Sequence, residues 1–320
     1  MRRLLTSLLA VSTMAAPALA ASRLLVDGPE AAALRLRIDA SGARVEGEGA
    51  GSRLPLPAGG SLDSFVSLRG GWLAAGSVPV TGGRELALWS PGEGADAHAL
   101  ATPPARRGAV RAFPVPLVHD GQLVGLAWLE GEATDRFAVV ASAFERGGWA
   151  TPVVVAPPGR GSQLGLTAAV LDDGSWLLAW SAYDGEDDEV MWSRRRGGRF
   201  TAPRAVASGN AVPDVTPALR ADGGGALLAW SRYDGNDYRL VMSRFGGDGW
   251  RQPAWAAAPG TLLPRWQGAA LTFRDAAHGA WVAASVDALD RLRLESAAAS
   301  PAEPRPVAAR QAGVLRLIFP

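Results

Sequence analysis

The chain has 320 residues, 48% of them apolar, with 32 basic and 31 acidic groups and no cysteine. That length and apolar content suffice for a large core and exclude a disordered chain. The near-neutral charge excludes an electrostatic nucleic-acid binder, and the missing cysteines exclude disulfides, thiolate metal sites and cysteine nucleophiles.

Residues 1–20 read MRRLLTSLLAVSTMAAPALA: two arginines, an apolar run from Leu4 to Ala16, and the small-x-small ending Ala18, Leu19, Ala20. This predicts a secretory signal peptide cleaved after Ala20 and a periplasmic or extracellular protein of a bacterium. The mature chain, 21–320, is then one domain. Once Arg2 and Arg3 leave with the leader, 30 basic groups face 31 acidic ones. No later stretch approaches the roughly 20 apolar residues of a membrane span.

Downstream, twelve Trp against three Tyr, with 39 Gly and 23 Pro, point to aromatic-bearing strands joined by tight turns. Residues 174–203 (GSWLLAWSAYDGEDDEVMWSRRRGGRFTAP) return as 224–253 (GGALLAWSRYDGNDYRLVMSRFGGDGWRQP). Trp180 recurs as Trp230, Tyr183 as Tyr233, Asp184 as Asp234 and Pro203 as Pro253. An earlier unit, 121–152, places Trp128, Ser142, Trp149 and Pro152 correspondingly, and weaker copies begin at Gly71 and Gly279.

Each unit reads as an apolar strand, an Asp-Gly turn, a second apolar strand, a Gly-Gly turn and a short segment ending in Pro. The strands are continuous apolar runs, so both faces are buried against neighbouring units. Radial stacking of four-stranded antiparallel sheets does this, and it predicts an all-β fold, a six-bladed β-propeller. Strands at Leu34 to Ile38 and Val314 to Phe319 would close the ring from the two termini.

Three units share a serine and an aromatic seven residues later: Ser142 to Trp149, Ser193 to Phe200 and Ser243 to Trp250. This resembles the Asp-box, or BNR repeat, of sialidase-like propellers, Ser-x-Asp-x-Gly-x-Thr-Trp across the third-to-fourth strand turn. The Asp is replaced by Phe144, Arg195 and Phe245, so the boxes are degenerate. The resemblance implies a sialidase-like propeller. Catalysis in that family needs an arginine triad, an Asp acid/base and a Tyr nucleophile activated by Glu. Its Phe-Arg-Ile-Pro motif is absent, Tyr183 and Tyr233 are repeat positions, and Tyr238 alone is not. No catalytic residue carries over.

In a propeller the second-to-third turns and the loops between blades share one face. Those turns are acidic: Glu130, Glu132 and Asp135; Asp184, Glu186, Asp187, Asp188 and Glu189; Asp234 and Asp237. Asp184, Asp187, Asp234 and Asp237 are the candidate ligands for a cation such as Ca²⁺, or else residues that close hairpins and keep turns soluble. No other cofactor is indicated. Between blades lie Arg106 with Arg107, Arg160, and Arg265 beside Trp266. Arg107, Arg160 and Arg265 would hold a sugar carboxylate or sulfate, Trp266 would stack on the ring, and Asp214 would accept its hydroxyls. The sequence thus predicts an exported, non-catalytic propeller that binds a glycan or protein partner. The alternative is a divergent exo-alpha-sialidase-like glycoside hydrolase, or a polysaccharide lyase, acting on an acidic glycan.

Overall fold

The structure, a computed structural model, describes residues 22–24, 35–39, 42–46, 52–106, 108–132, 136–207, 210–287 and 290–294. They form six antiparallel sheets in chain order, with no helix among the described residues. Consequently none of their helices could cross a membrane.

The first sheet comprises Ser22–Leu24, Arg35–Asp39, Gly42–Glu46 and Ser52–Leu54. The second runs from Ser61–Leu68 through Gly71–Val80 and Gly83–Ser90 to His98–Leu100. In the third, Val110–His119, Gln122–Gly131 and Ala138–Glu145 are followed by Gly148–Trp149 and Val153–Ala156. The fourth has Gln163–Val170, Trp176–Tyr183, Asp188–Arg196, Arg199–Phe200 and Arg204–Ala205. The fifth has Asp214–Asp222, Gly225–Tyr233, Tyr238–Gly246, Gly249–Trp250 and Ala254–Pro259. The sixth ends the series with Thr261–Gln267, Ala270–Asp275, Ala280–Val286 and Leu292–Leu294.

The fourth strand of the three best repeats is split into two pieces that both pair with the third strand. Pro152, Pro203 and Pro253 lie between the pieces, and a residue without an N–H cannot continue the ladder. Ahead of the split, Gly197 and Gly198 both adopt positive φ (55° and 83°), as a two-residue hairpin matched to strand twist requires.

The core is layered between consecutive sheets. Leu73, Leu88, Leu126 and Trp128 pack the second against the third. Val139, Trp176 and Trp180 join the third to the fourth, and Trp192, Leu228 and Trp230 the fourth to the fifth. Met242, Trp266 and Phe273 fill the next layer. The first strands of the second to fifth sheets each also touch the first strand of the sheet that follows, so these strands stand side by side along one side of the sheets. The first sheet is a four-stranded meander of N-terminal strands. Val314 to Phe319, expected to close the ring, and the leader lie outside the described residues.

The shared serines clip the third-to-fourth turn. Ser142, Ser193 and Ser243 donate through Oγ to the carbonyls of Ala150, Thr201 and Arg251 at 2.6, 2.7 and 2.7 Å. In two of the three repeats the arginine after the serine adds a clamp between sheets. Arg194 reaches Asp173 in its own sheet at 2.8 Å and Asp248 in the next at 3.1 Å. Arg244 repeats the clamp with Asp222 at 2.6 Å and Asp290, in the sixth sheet, at 2.8 Å.

Candidate functional site

The first strands of the second, fourth, fifth and sixth sheets begin with a buried polar residue, Ser61, Gln163, Asp214 and Thr261, and that of the third has Arg111 at its second position. Two residues further on the strand bulges, and Phe113, Gly165, Thr216 and Leu263 take φ of 54°, 58°, 55° and 56° there. Bulges of this kind re-aim side chains where strands converge.

Most of that polar ring is spent inside the fold. Ser61 Oγ shares a hydrogen bond with Ser77 Oγ at 2.9 Å. Arg111 binds Glu85 of the preceding sheet and donates to the Pro103 carbonyl. Gln163 accepts the Trp180 indole N–H at 2.6 Å. Thr261 donates to the Ala258 carbonyl at 2.6 Å. Arg232 grips both oxygens of Asp214 at 2.7 and 2.6 Å.

The junction of the fourth and fifth sheets differs. Glu189 sits across from Ala182 as Glu85 sits across from Val78, yet its neighbour on the next sheet is Asp214 where Glu85 has Arg111. Glu189, Asp187 and Asp214 are 6%, 9% and 1% exposed, and Arg232 is already committed to Asp214. Burial, followed by the negative charges of Asp214 and Asp187, pushes the Glu189 carboxyl up to about 7. Burial and the surrounding carboxylates also raise Asp187 and Asp188, while bonding to Asp214 raises Arg232. Glu189 Oε2, Asp187 Oδ2, Ser181 Oγ and Trp230 Nε1 are buried without a hydrogen-bond partner. Trp230 repeats Trp180, but Asp214 stands where Trp180 finds Gln163.

The three tyrosines of the chain stand at the ends of the equivalent hairpin strands of the fourth and fifth sheets. Tyr183, 41% exposed, donates to the Gly185 carbonyl and pairs across the hairpin with Asp188. Tyr233 and Tyr238 meet edge-to-face at 5.6 Å. Tyr238 is raised by burial and by Asp188.

A carboxyl whose folded pKa is raised contributes stability below its ordinary value and loses it as pH rises through the folded value. Between about pH 5 and 8 the wild type should therefore lose about 1–2 kcal/mol that Glu189→Gln keeps. Thermal denaturation of both proteins across that range checks this; parallel curves would contradict it.

The residues singled out from the sequence are scattered. Arg160 is exposed and lies against Gly185 at the rim of the acidic turn. Arg265 and Trp266, expected in a loop, belong to the first strand of the sixth sheet. Arg265 lies over Trp281, and burial lowers its pKa. Trp266 is a core residue: its N–H bonds the Ala218 carbonyl and Arg220 covers its ring at 4.3 Å, so no face is free for a sugar. Asp214 is enclosed with Arg232. Arg107 and Asp135 lie outside the described residues. Asp184 and Asp234 use Oδ1 to accept the backbone N–H groups of their own turns, at 2.7 Å from Glu186 and 2.9 Å from Asp237. Asp187 and Asp237 follow three residues after them. Among the described residues no group of three His, Asp or Glu side chains is placed to hold a metal ion. Arg232 becomes a site residue through strand pairing with Asp214 inside the fifth sheet, and Glu189 through packing of the fourth sheet near Asp214. The visible signal was that a charged residue recurs at this third-strand position as Glu85, Glu189 and Arg239.

With this geometry in place, comparison with solved structures is decisive for the fold. The chain resembles the lectin of Aleuria aurantia, described as a six-bladed β-propeller with a fucose recognition mode, at 11% identity and a TM-score of 0.52, over 89% of this chain and 96% of the lectin. It is a β-propeller fold. The Myceliophteria thermophila Cps50 (Swd1) β-propeller domain is similar at 12% identity and a TM-score of 0.54, covering 82% of this chain and 83% of that one. A prolyl endopeptidase matches at 16% identity and a TM-score of 0.55 over 87% of this chain. This chain spans 42% of that enzyme and 44% of a Mycobacterium tuberculosis puromycin-hydrolysing peptidase. No protein-family model matches the sequence, and no curated protein does.

Proposed function

We propose that the protein is an exported, six-bladed, sialidase-like propeller that works as a glycan-binding module, with its ligand at the junction of the fourth and fifth sheets. One observation carries this reading: the equivalent hairpins 183–188 and 233–238 of the fourth and fifth sheets bring an exposed Tyr183, the Tyr233–Tyr238 pair and a set of carboxylates together at one end of the two sheets. Aromatic faces take the apolar face of a sugar ring, and carboxylate oxygens accept its hydroxyls. The lectin that the chain resembles over nearly its whole length is a propeller with fucose recognition, which agrees with this role.

A second reading, a glycoside hydrolase, draws on Glu189 alone. A carboxyl raised to about 7 beside an ion-paired Asp214 has the setting of a proton donor. Among the described candidates, Arg160 stands at the rim of the acidic turn of the fourth sheet and Arg265 is half-buried in the first strand of the sixth, and the carboxylates around Glu189 repel an anionic sugar. The binding module is therefore the preferred reading.

A glycan array probed with the mature chain and with Tyr183→Ala tests it. The wild type should bind a related group of sugars, and the variant should lose roughly threefold to tenfold in affinity. Equal binding by the two proteins, or no glycan bound, contradicts the assignment.

A further inference from the structure

We infer that the buried carboxylates at the junction of the fourth and fifth sheets receive a single primary ammonium group, and that the ligand is an amino sugar. The inference rests on the glycan-binding reading and names its substrate class.

Three carboxylates, Asp187, Glu189 and Asp214, are at least nine-tenths buried. Arg232 is the guanidinium among them, and Asp214 takes both of its forked bonds. Asp187 Oδ2 and Glu189 Oε2 remain without partners. Buried acceptors left unmade are costly, and charged ones more so. A group bearing several N–H donors and a positive charge removes that cost.

Two features favour a sugar as the carrier of that cation over a basic protein segment. Asp184 and Asp234, the outer acids that a run of lysines would meet, already accept backbone N–H groups of their own turns. The unspent acceptors, Asp187 Oδ2 and Glu189 Oε2, belong to one hairpin. Tyr183, which pairs across that hairpin with Asp188, is exposed and supplies a flat surface for a ring carrying one ammonium. Arg160 caps the rim next to Asp184 and further weakens a polybasic fit.

The test is calorimetric titration of the mature chain with short glucosamine oligosaccharides, with the same oligosaccharides N-acetylated, with glucose oligosaccharides of the same linkage, and with a lysine-rich peptide. The amine form should bind roughly tenfold or more tighter than either neutral form, as one charge-assisted contact predicts. Glu189→Gln and Asp187→Asn should each remove that preference while still unfolding cooperatively. The comparison of sugars on the wild type stands even if a variant misfolds. Equal affinity for amine and neutral sugars overturns the ammonium inference and leaves the glycan-binding reading intact. Binding of none of the sugars overturns both. Binding of the lysine peptide alone, lost in Glu189→Gln, overturns the amino sugar in favour of a protein partner.

Discussion

Replacing Trp230 by alanine should lower the unfolding free energy by about 3–5 kcal/mol, and Trp180→Ala should cost more. Both indoles are completely buried between sheets, where the truncation leaves a cavity that rigid strands cannot fill. The two differ in one bond. The Trp180 N–H satisfies Gln163 Oε1, so its removal also strands a buried amide oxygen, whereas the Trp230 N–H has no partner. Phenylalanine separates the terms: Trp180→Phe should cost about 1–2 kcal/mol more than Trp230→Phe. Denaturant unfolding of the four variants measures this. A loss below about 1 kcal/mol for either alanine variant would mean that the central strands are not packed on both faces.

The second large effect belongs to the Arg194 clamp between the fourth and fifth sheets. Arg194→Ala should cost about 2–3 kcal/mol. Its guanidinium binds Asp173, Asp248, the Gly247 carbonyl and Ser175 Oγ and lies over Phe245 at 5.5 Å. The estimate stays below that for a fully buried ion pair because Asp248 is solvent-exposed and would be rehydrated once unpaired. Arg196→Ala, two residues on and exposed, should change stability by less than about 0.5 kcal/mol. Equal melting temperatures for the two variants would show that the clamp does not join the sheets.

The repeat made the fold readable. A spacing that returns Trp, Asp-Gly, Ser and Pro at fixed places, with apolar runs between them, leaves few ways to bury both faces of every strand. The site was less readable because its chemistry depends on register across sheets. Asp214 looks like a free acceptor until the pairing sets it opposite Arg232. The acidic turn looks uniform, yet Asp184 closes the turn while Asp187 and Glu189 are drawn under it. Arg265 and Trp266 read as loop because a proline precedes them. The innermost strand is a sheet edge with a bulge at Leu263, and such strands accept proline. Within the arginine run 194–196 the three side chains part ways: Arg195 lies over Trp176 at 4.2 Å and Arg196 is exposed, but Arg194 is buried in the clamp.

Hydrogen exchange of the mature chain, with and without the oligosaccharide that binds best among the glucosamine and glucose series, tests the location of the site most directly. Amides that lose exchange on binding should fall in 181–189 and 231–239, the two hairpins that carry the tyrosines and the buried carboxylates. Protection centred on the third-to-fourth turns around 146–149 and 197–200, or on the sixth sheet around Arg265 and Trp266, would contradict the account.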